Sequence, residues 1–306
     1  MDDGAVQGAL KRTTTIAGGL LCIAAAILLI ARVVALRGSI GERLAHVSAG
    51  AFAEALSLYL LGSLLLAYAW VVLVRVASGA HPRARPLLRG HLRAQVAKYL
   101  PGNVFHFAYR HVAARRQGVN HASLAAALGL EAAFLLAAAA VIALGVAADP
   151  RLDALVPWAR KSIAFVPVFA VLAWIALIYV APRFGVPRAP MSSRAPGLAL
   201  VLAIDFAFFL LAGAALRALH SATDMLPFSA WCGWLSLAWI VGYVTPGAPA
   251  GIGLREGVLV LGLSPALGEA EALALALLYR LVTTIADGLL AAFGFLDREA
   301  ARTDRI

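Results

Sequence analysis

The stretch T-P-G-A-P-A-G-I-G-L-R-E, residues 245–256, decides how the rest of the chain is read. It follows a very apolar run and closes on the adjacent pair Arg255–Glu256, just before a shorter apolar run. Pro246 and Pro249 lack a backbone donor and push the residue before each out of the α region. Gly247, Gly251 and Gly253 permit backbone angles that other residues avoid. No continuous helix survives that composition. Irregular backbone at membrane depth is tolerated only where protein buries it or a water-filled cavity reaches it. One reading is a tight surface loop between two spans. The sharper one, adopted here, is a broken helix whose free N–H groups and charged pair line a polar site inside a membrane.

Composition supports a membrane setting. The chain has 306 residues, 62% of them hydrophobic and 14% charged, and its mean hydropathy is +0.86. A soluble domain of that length has no use for so much apolar surface, whereas a stack of spans does. The net charge of +10 would suit nucleic acid, but the charges sit between apolar runs. There, basic residues set membrane orientation and attract anionic head groups. Nucleic acid is therefore not an expected partner. Cys22 and Cys232 are far apart and each lies in an apolar run, which excludes a disulfide framework or a cysteine metal site.

Taken in order, the apolar runs predict spans at 15–36, 49–76, 121–148, 162–181, 195–219, 228–244 and 269–296. The first follows Lys11 and Arg12 but is too long for a signal peptide and has no small-x-small cleavage site, so it reads as a retained span with a cytoplasmic N-terminus. Between Glu54 and Glu131 there is no acidic residue, while Arg75, Arg83, Arg85, Arg89, Arg93, Lys98, Arg110, Arg115 and Arg116 fall in that interval. The positive-inside rule makes segment 77–120 cytoplasmic, and likewise the second all-basic loop, 182–194. Leu88, Leu92, Val96 and Tyr99 recur at helical spacing among the arginines, the pattern of a helix lying in the membrane interface. The expected fold is thus an all-α polytopic membrane protein of about 7–8 transmembrane helices. It forms a single domain over 1–306, with broken segments at 99–110 and 245–264.

The first broken segment, Y-L-P-G-N-V-F-H-F-A-Y-R at 99–110, stops one helix at Pro101–Gly102 and offers Asn103 as an N-cap for the next. His106 and three aromatic rings follow, and Arg110 closes it. Both segments combine a Pro-Gly break, a short apolar half-helix and an arginine, and both abut basic loops in this topology. Paired broken helices mark the substrate site of many transporters, and half-helix N-termini present donors and a positive dipole end to an anion. Glu131, Asp205, Arg280 and Asp287 lie well inside apolar runs, where each costs about 2.5–3.5 kcal/mol on insertion scales and should find a partner. The residues expected to contact substrate are Asn103, His106, Arg110, Glu131, Arg255, Glu256 and Arg280. No catalytic residue, metal site or cofactor is expected, since no zinc-helix, nucleophile-elbow or phosphate-loop motif occurs.

At these residues the chain resembles the flippase-like transmembrane family that includes the membrane half of lysylphosphatidylglycerol synthases. The matching pieces are 99–110, P-G-A-P-A-G-I-G-L-R-E-G at 246–257 and L-Y-R-L at 278–281. The family usually reads P-G-x-P-G-G-x-G-x-R-E, so Ala250 stands where a glycine is usual, and Ala132 follows Glu131 where an arginine is frequent. The resemblance implies an inner-membrane protein with two re-entrant segments that moves an anionic, aminoacylated or sugar-linked lipid between leaflets. No aminoacyl-transfer activity is expected, because the chain ends at Ile306 without the soluble domain that carries it. The expected partners are an anionic phospholipid or a polyprenyl-phosphate-linked lipid, a separate synthase, and a second copy of the chain. The rival expectation is an integral-membrane enzyme or accessory subunit of a lipid-linked glycosyl or aminoacyl transfer pathway. Its acidic candidates are Asp149, Asp153 and Asp224.

Overall fold

A computed structural model describes residues 47–99, 105–146, 191–220, 226–245 and 249–296, with a few isolated positions between 31 and 38. The expected spans at 15–36 and 162–181, and Pro101, Gly102, Asn103, Pro246, Gly247, Asp149, Asp153 and Asp224, lie outside the described residues.

The described residues are helical, with no strand among them. They form α1 (Ala49–Ser78), α2 (Ala84–Ala94) followed by a 3-10 turn (Gln95–Tyr99), and α3 (Phe105–Arg115). Next come α4 (His121–Ala143), extended by a 3-10 turn to Val146, and α5 (Met191–Ala218). The last three are α6 (Phe228–Val244), α7 (Leu254–Leu267) and α8 (Glu269–Leu296). Local chemistry sets the ends. Ser48 accepts the Ala51 N–H at 3.1 Å to start α1, and Gly79 ends it with φ 64. Asn120 accepts the Ser123 N–H at 2.7 Å to start α4.

Four described helices are long and apolar enough to cross a membrane: α1, α4 with its extension, most of α5, and α8. Their directions follow from contacts between small residues and neighbours. Gly197 of α5 faces Val76 of α1, and Gly62 of α1 faces Phe208 of α5, so these two helices run antiparallel. Glycine there lets the backbones approach closely, the usual device where lipid supplies no hydrophobic drive. The C-terminal end of α8 meets α2, because Gly294 lies against Leu92 and Arg93. One face of the bundle therefore carries the end of α1, the α2–α3 segment, the starts of α4 and α5 and the end of α8. This is the basic face. The opposite face carries the start of α1, the ends of α4 and α5 and the start of α8, where His220 meets Glu271 at 3.1 Å.

Two expectations change here. The 84–99 segment is not a helix lying flat on the bundle. Leu87, Arg89, His91, Leu92 and Ala94 are buried, and the chain follows α8 inward from Gly294 (Arg93 Nε to its carbonyl, 2.7 Å) to Thr284 and Asp287 (Tyr99 hydroxyl). Ten residues of α8 amount to about 15 Å of depth at 1.5 Å per residue. Of the apolar positions that looked like a membrane-facing stripe, Leu92 is buried against protein and Leu88 and Tyr99 are half-buried, while Val96 remains exposed. Residues 228–244 also pair with the helix that follows them. Gly242 of α6 meets Arg255 at the start of α7, and Trp234 of α6 meets Gly262 further along it, so α7 runs back beside α6. The hairpin opens on the face opposite the basic one, where Ser229 meets Gly145, so only the first broken segment belongs to the basic face. α6 has 17 residues, short for a crossing, and the turn at Pro249–Gly251 precedes α7.

Candidate functional site

The two hairpins enter from opposite faces and their tips meet near the middle of α8: the turn at 95–99 touches the turn at Pro249–Gly251. Between the tips lies a cavity of about 140 Å³, walled by α1, α3, α4, α6 and α8 as well as the tips. A smaller space of about 40 Å³ continues from it and shares Tyr59, Phe208, Trp239, Arg255, Arg280 and Thr283. His106, Arg110, Glu131, Arg255 and Arg280 line the larger space, and Glu256 lines the smaller one. Of the expected substrate-contact residues, only Asn103 lies outside the described residues.

The arginines are held differently. Arg110 donates to both Glu131 oxygens, at 2.6 and 2.7 Å, and lies 3.0 Å from His91 Nδ1. Its guanidinium also stacks over Trp70, 4.7 Å from the ring centre. Both partners are almost wholly buried. Planar two-point pairing of this kind satisfies each charge with the other. Arg280 Nε reaches Glu256 Oε1 at 3.2 Å, and its two terminal nitrogens donate to the Ala250 carbonyl at 3.1 and 3.2 Å.

That carbonyl is aimed by a left-handed turn, because Ala250 has φ 49 and Gly251 and Gly253 have φ 70 and 83. Glu256 ties the same turn down by accepting the Gly253 N–H at 2.6 Å. Ala250 adopts a conformation glycine prefers, which gives a physical reason for glycine at this place in the motif.

Arg255 has no hydrogen bond or ion pair among the described residues, and its buried Nε finds no acceptor. Its stem lies against Gly242 and Gly251, where an added Cβ would fall 2.6 and 2.7 Å from it. Its guanidinium lies 5.9 Å from the Trp239 ring centre. Lys98 completes the charge set by pairing with Asp287 at 2.6 Å, and the Tyr99 hydroxyl donates to the same carboxylate at 2.7 Å. Four cations (Lys98, Arg110, Arg255, Arg280) thus face three carboxylates (Glu131, Glu256, Asp287) around the joined spaces. Among the described residues, one positive charge is left over.

Sequence reasoning marked Asp287 as a costly charge but not as part of this site, and missed Lys98, His91, Trp239 and Gly242. Lys98 and Tyr99 were legible only as members of a basic aromatic segment, since their partner is 188 residues away. Asp205 departs from expectation. It is 1% exposed in mid-α5, yet makes no hydrogen bond or ion pair among the described residues. His111 turns out to lie away from the cavity, its Nε2 2.8 Å from His121 Nδ1 with the rings stacked. Partial burial, then the neighbouring His121 and Arg115, hold its pKa below the usual imidazole value.

Fold and site together define a multi-pass helical membrane protein with a buried, cation-rich cavity between two opposed hairpins. The chain belongs to the family described as lysylphosphatidylglycerol synthase TM region, which matches it over residues 16–291. It is thus a membrane protein related to lipid modification and transport. No curated protein matches the chain.

Proposed function

We propose that this protein moves a lipid with an anionic head group between the leaflets of the cell inner membrane. The observation that carries the reading is Arg255, a cation with no hydrogen bond or ion pair among the described residues, in a cavity where the described lining residues sum to one excess positive charge. A phosphodiester is the natural complement. It brings one negative charge and oxygens that a planar guanidinium can grip at two points.

In this reading the two hairpins are re-entrant segments, and the head group passes between their tips while its acyl chains remain in lipid. Arg255 and Arg280 line both spaces and would hand the phosphate from one to the other. Arg110 and Lys98 are neutralised by Glu131 and Asp287, so they shape the field without trapping the anion. Glu131 and Glu256 are also placed to meet the amino group of an aminoacylated lipid. By the positive-inside rule the basic face is cytoplasmic, and so is the N-terminus. A lipid-linked synthase acting on one leaflet is the partner this activity would serve.

The test is a leaflet assay on purified protein in vesicles. Fluorescent phosphatidylglycerol, aminoacylated phosphatidylglycerol and phosphatidylcholine would each be followed by quenching of the outer leaflet. Movement of an anionic or aminoacylated lipid that Arg255→Ala abolishes supports the reading. Equal quenching kinetics in protein-free vesicles would refute it.

A further inference from the structure

One face of α2 and of the turn after it carries His91, Ala94, Gln95 and Lys98 into the wall of the central cavity. At that spacing helical side chains share a stripe. His91 is 6% exposed, and its Nδ1 lies 3.0 Å from Nη1 of Arg110, which sits across the hairpin on α3. Arg110 is not free to swing away from the ring. Its two terminal nitrogens donate to Glu131 at 2.6 and 2.7 Å, and its guanidinium rests over Trp70.

That contact decides where the imidazole carries its proton. A guanidinium only donates, so the lone pair between the two groups belongs to His91 Nδ1. A neutral imidazole has one donor and one acceptor; with Nδ1 accepting, the proton is on Nε2. A second proton, on Nδ1, would remove the acceptor and set one cation 3.0 Å from another. His91 is therefore an uncharged ring whose one acceptor is used inside the protein. The polar group it can offer the cavity is an N–H. Lys98, Arg255 and Arg280 line the same space and are likewise donors without lone pairs. A phosphodiester, which only accepts hydrogen bonds, suits such neighbours. An ammonium group, which only donates, does not.

We infer that His91 is a head-group contact, an uncharged donor that reaches a phosphate oxygen of the lipid through Nε2–H while Arg110 holds its other nitrogen. This rests on the lipid site proposed above and adds to it. On the α2 side the phosphate meets a neutral donor, and the amino group of an aminoacylated lipid is kept away from His91.

The test reads the ring directly, by solid-state NMR of the full-length protein in liposomes with isotopically labelled histidine nitrogens. The His91 signals are those that vanish in His91→Gln. Wild type should show a neutral ring protonated on Nε2, and the Nε2 signal should shift when short-chain phosphatidylglycerol is added. In detergent, His91→Leu should bind the same lipid about tenfold or more weakly, since a hydrogen bond to a charged phosphate is lost. His91→Gln keeps one acceptor and a donor on a neutral side chain, so its affinity should stay within about threefold of wild type. A proton on Nδ1, or an imidazolium, would overturn the assignment, and so would an Nε2 signal that the lipid leaves unmoved. Both readings come from wild type, so they stand even where His91→Leu fails to fold. An equal shift with millimolar inorganic phosphate would reassign the contact to a free anion and overturn the lipid assignment. Lipid movement abolished by Arg255→Ala but unchanged in His91→Leu would overturn the His91 contact and leave the transport reading in place. A lipid-induced shift at His91 in a wild-type protein that moves no lipid would do the reverse.

Discussion

Replacing Arg255 and Arg110 by alanine, one at a time, separates the cation proposed to bind ligand from one held by a carboxylate. Arg110→Ala leaves Glu131 buried without its two charged hydrogen bonds, and breaking such a pair from one side costs about 3–5 kcal/mol. Arg255→Ala removes no hydrogen bond among the described residues. It loses a cation–π contact at 5.9 Å, worth about 0.5–2 kcal/mol, and removes an unpaired charge whose placement inside a membrane costs about 2.5–3.5 kcal/mol. These two effects alone favour the variant by about 0.5–3 kcal/mol, and losing the packing of the buried stem against Gly242 and Gly251 brings the net effect near zero. Binding should respond in the opposite order. Each charge-assisted hydrogen bond to a phosphate contributes about 1.5–3 kcal/mol. At about 1.4 kcal/mol per factor of ten, Arg255→Ala should weaken lipid affinity about ten- to 150-fold. Thermal melts in detergent would read stability, and titration of short-chain phosphatidylglycerol would read affinity. Arg255→Lys should fold and recover only part of the binding, because an ammonium cannot grip two oxygens in a plane. An Arg255→Ala protein that melts as early as Arg110→Ala while binding lipid normally would refute the argument. Charge arithmetic around the cavity would then have no functional meaning.

Three other outcomes follow from geometry. Ala250→Gly should stabilise by about 0.5–1 kcal/mol, since relief of a left-handed φ of 49 is worth about 1–2 kcal/mol and the added chain entropy takes back about 0.4–1; a lower melting temperature would contradict the turn. Gly262→Ala puts a methyl group into the Trp234 indole, so overpacking should cost about 1–3 kcal/mol, and an unchanged melt would mean that α7 does not lie against α6. Asp205→Asn should melt within about 1 kcal/mol of wild type, because there is no ion pair among the described residues to lose; a large loss would reveal a counter-ion for Asp205.

The sequence by itself determined the class and the places where helices break. Apolar run lengths, an acid-free basic segment and the cost of charge in lipid specify helices and their ends, because these effects act within a few residues. Pro249, Gly251 and Gly253 announced a turn, and Arg110, Glu131, Arg255, Glu256 and Arg280 announced a polar site. What the sequence did not carry was direction and pairing. Residues 228–244 are as apolar as a span, and only the return of α7 along α6, through Gly242 and Gly262, makes them half of a hairpin. The apolar positions of α2 fit a membrane surface as well as they fit α8, since periodicity records that a face is buried and not what buries it. Three arginines of similar local setting became distinct only through distant contacts: Glu131 neutralises Arg110, Glu256 and the Ala250 carbonyl hold Arg280, and Arg255 has no hydrogen bond or ion pair among the described residues. Counter-ion pairing is a property of space, and tertiary packing leaves one of the three without a hydrogen bond or ion pair among the described residues.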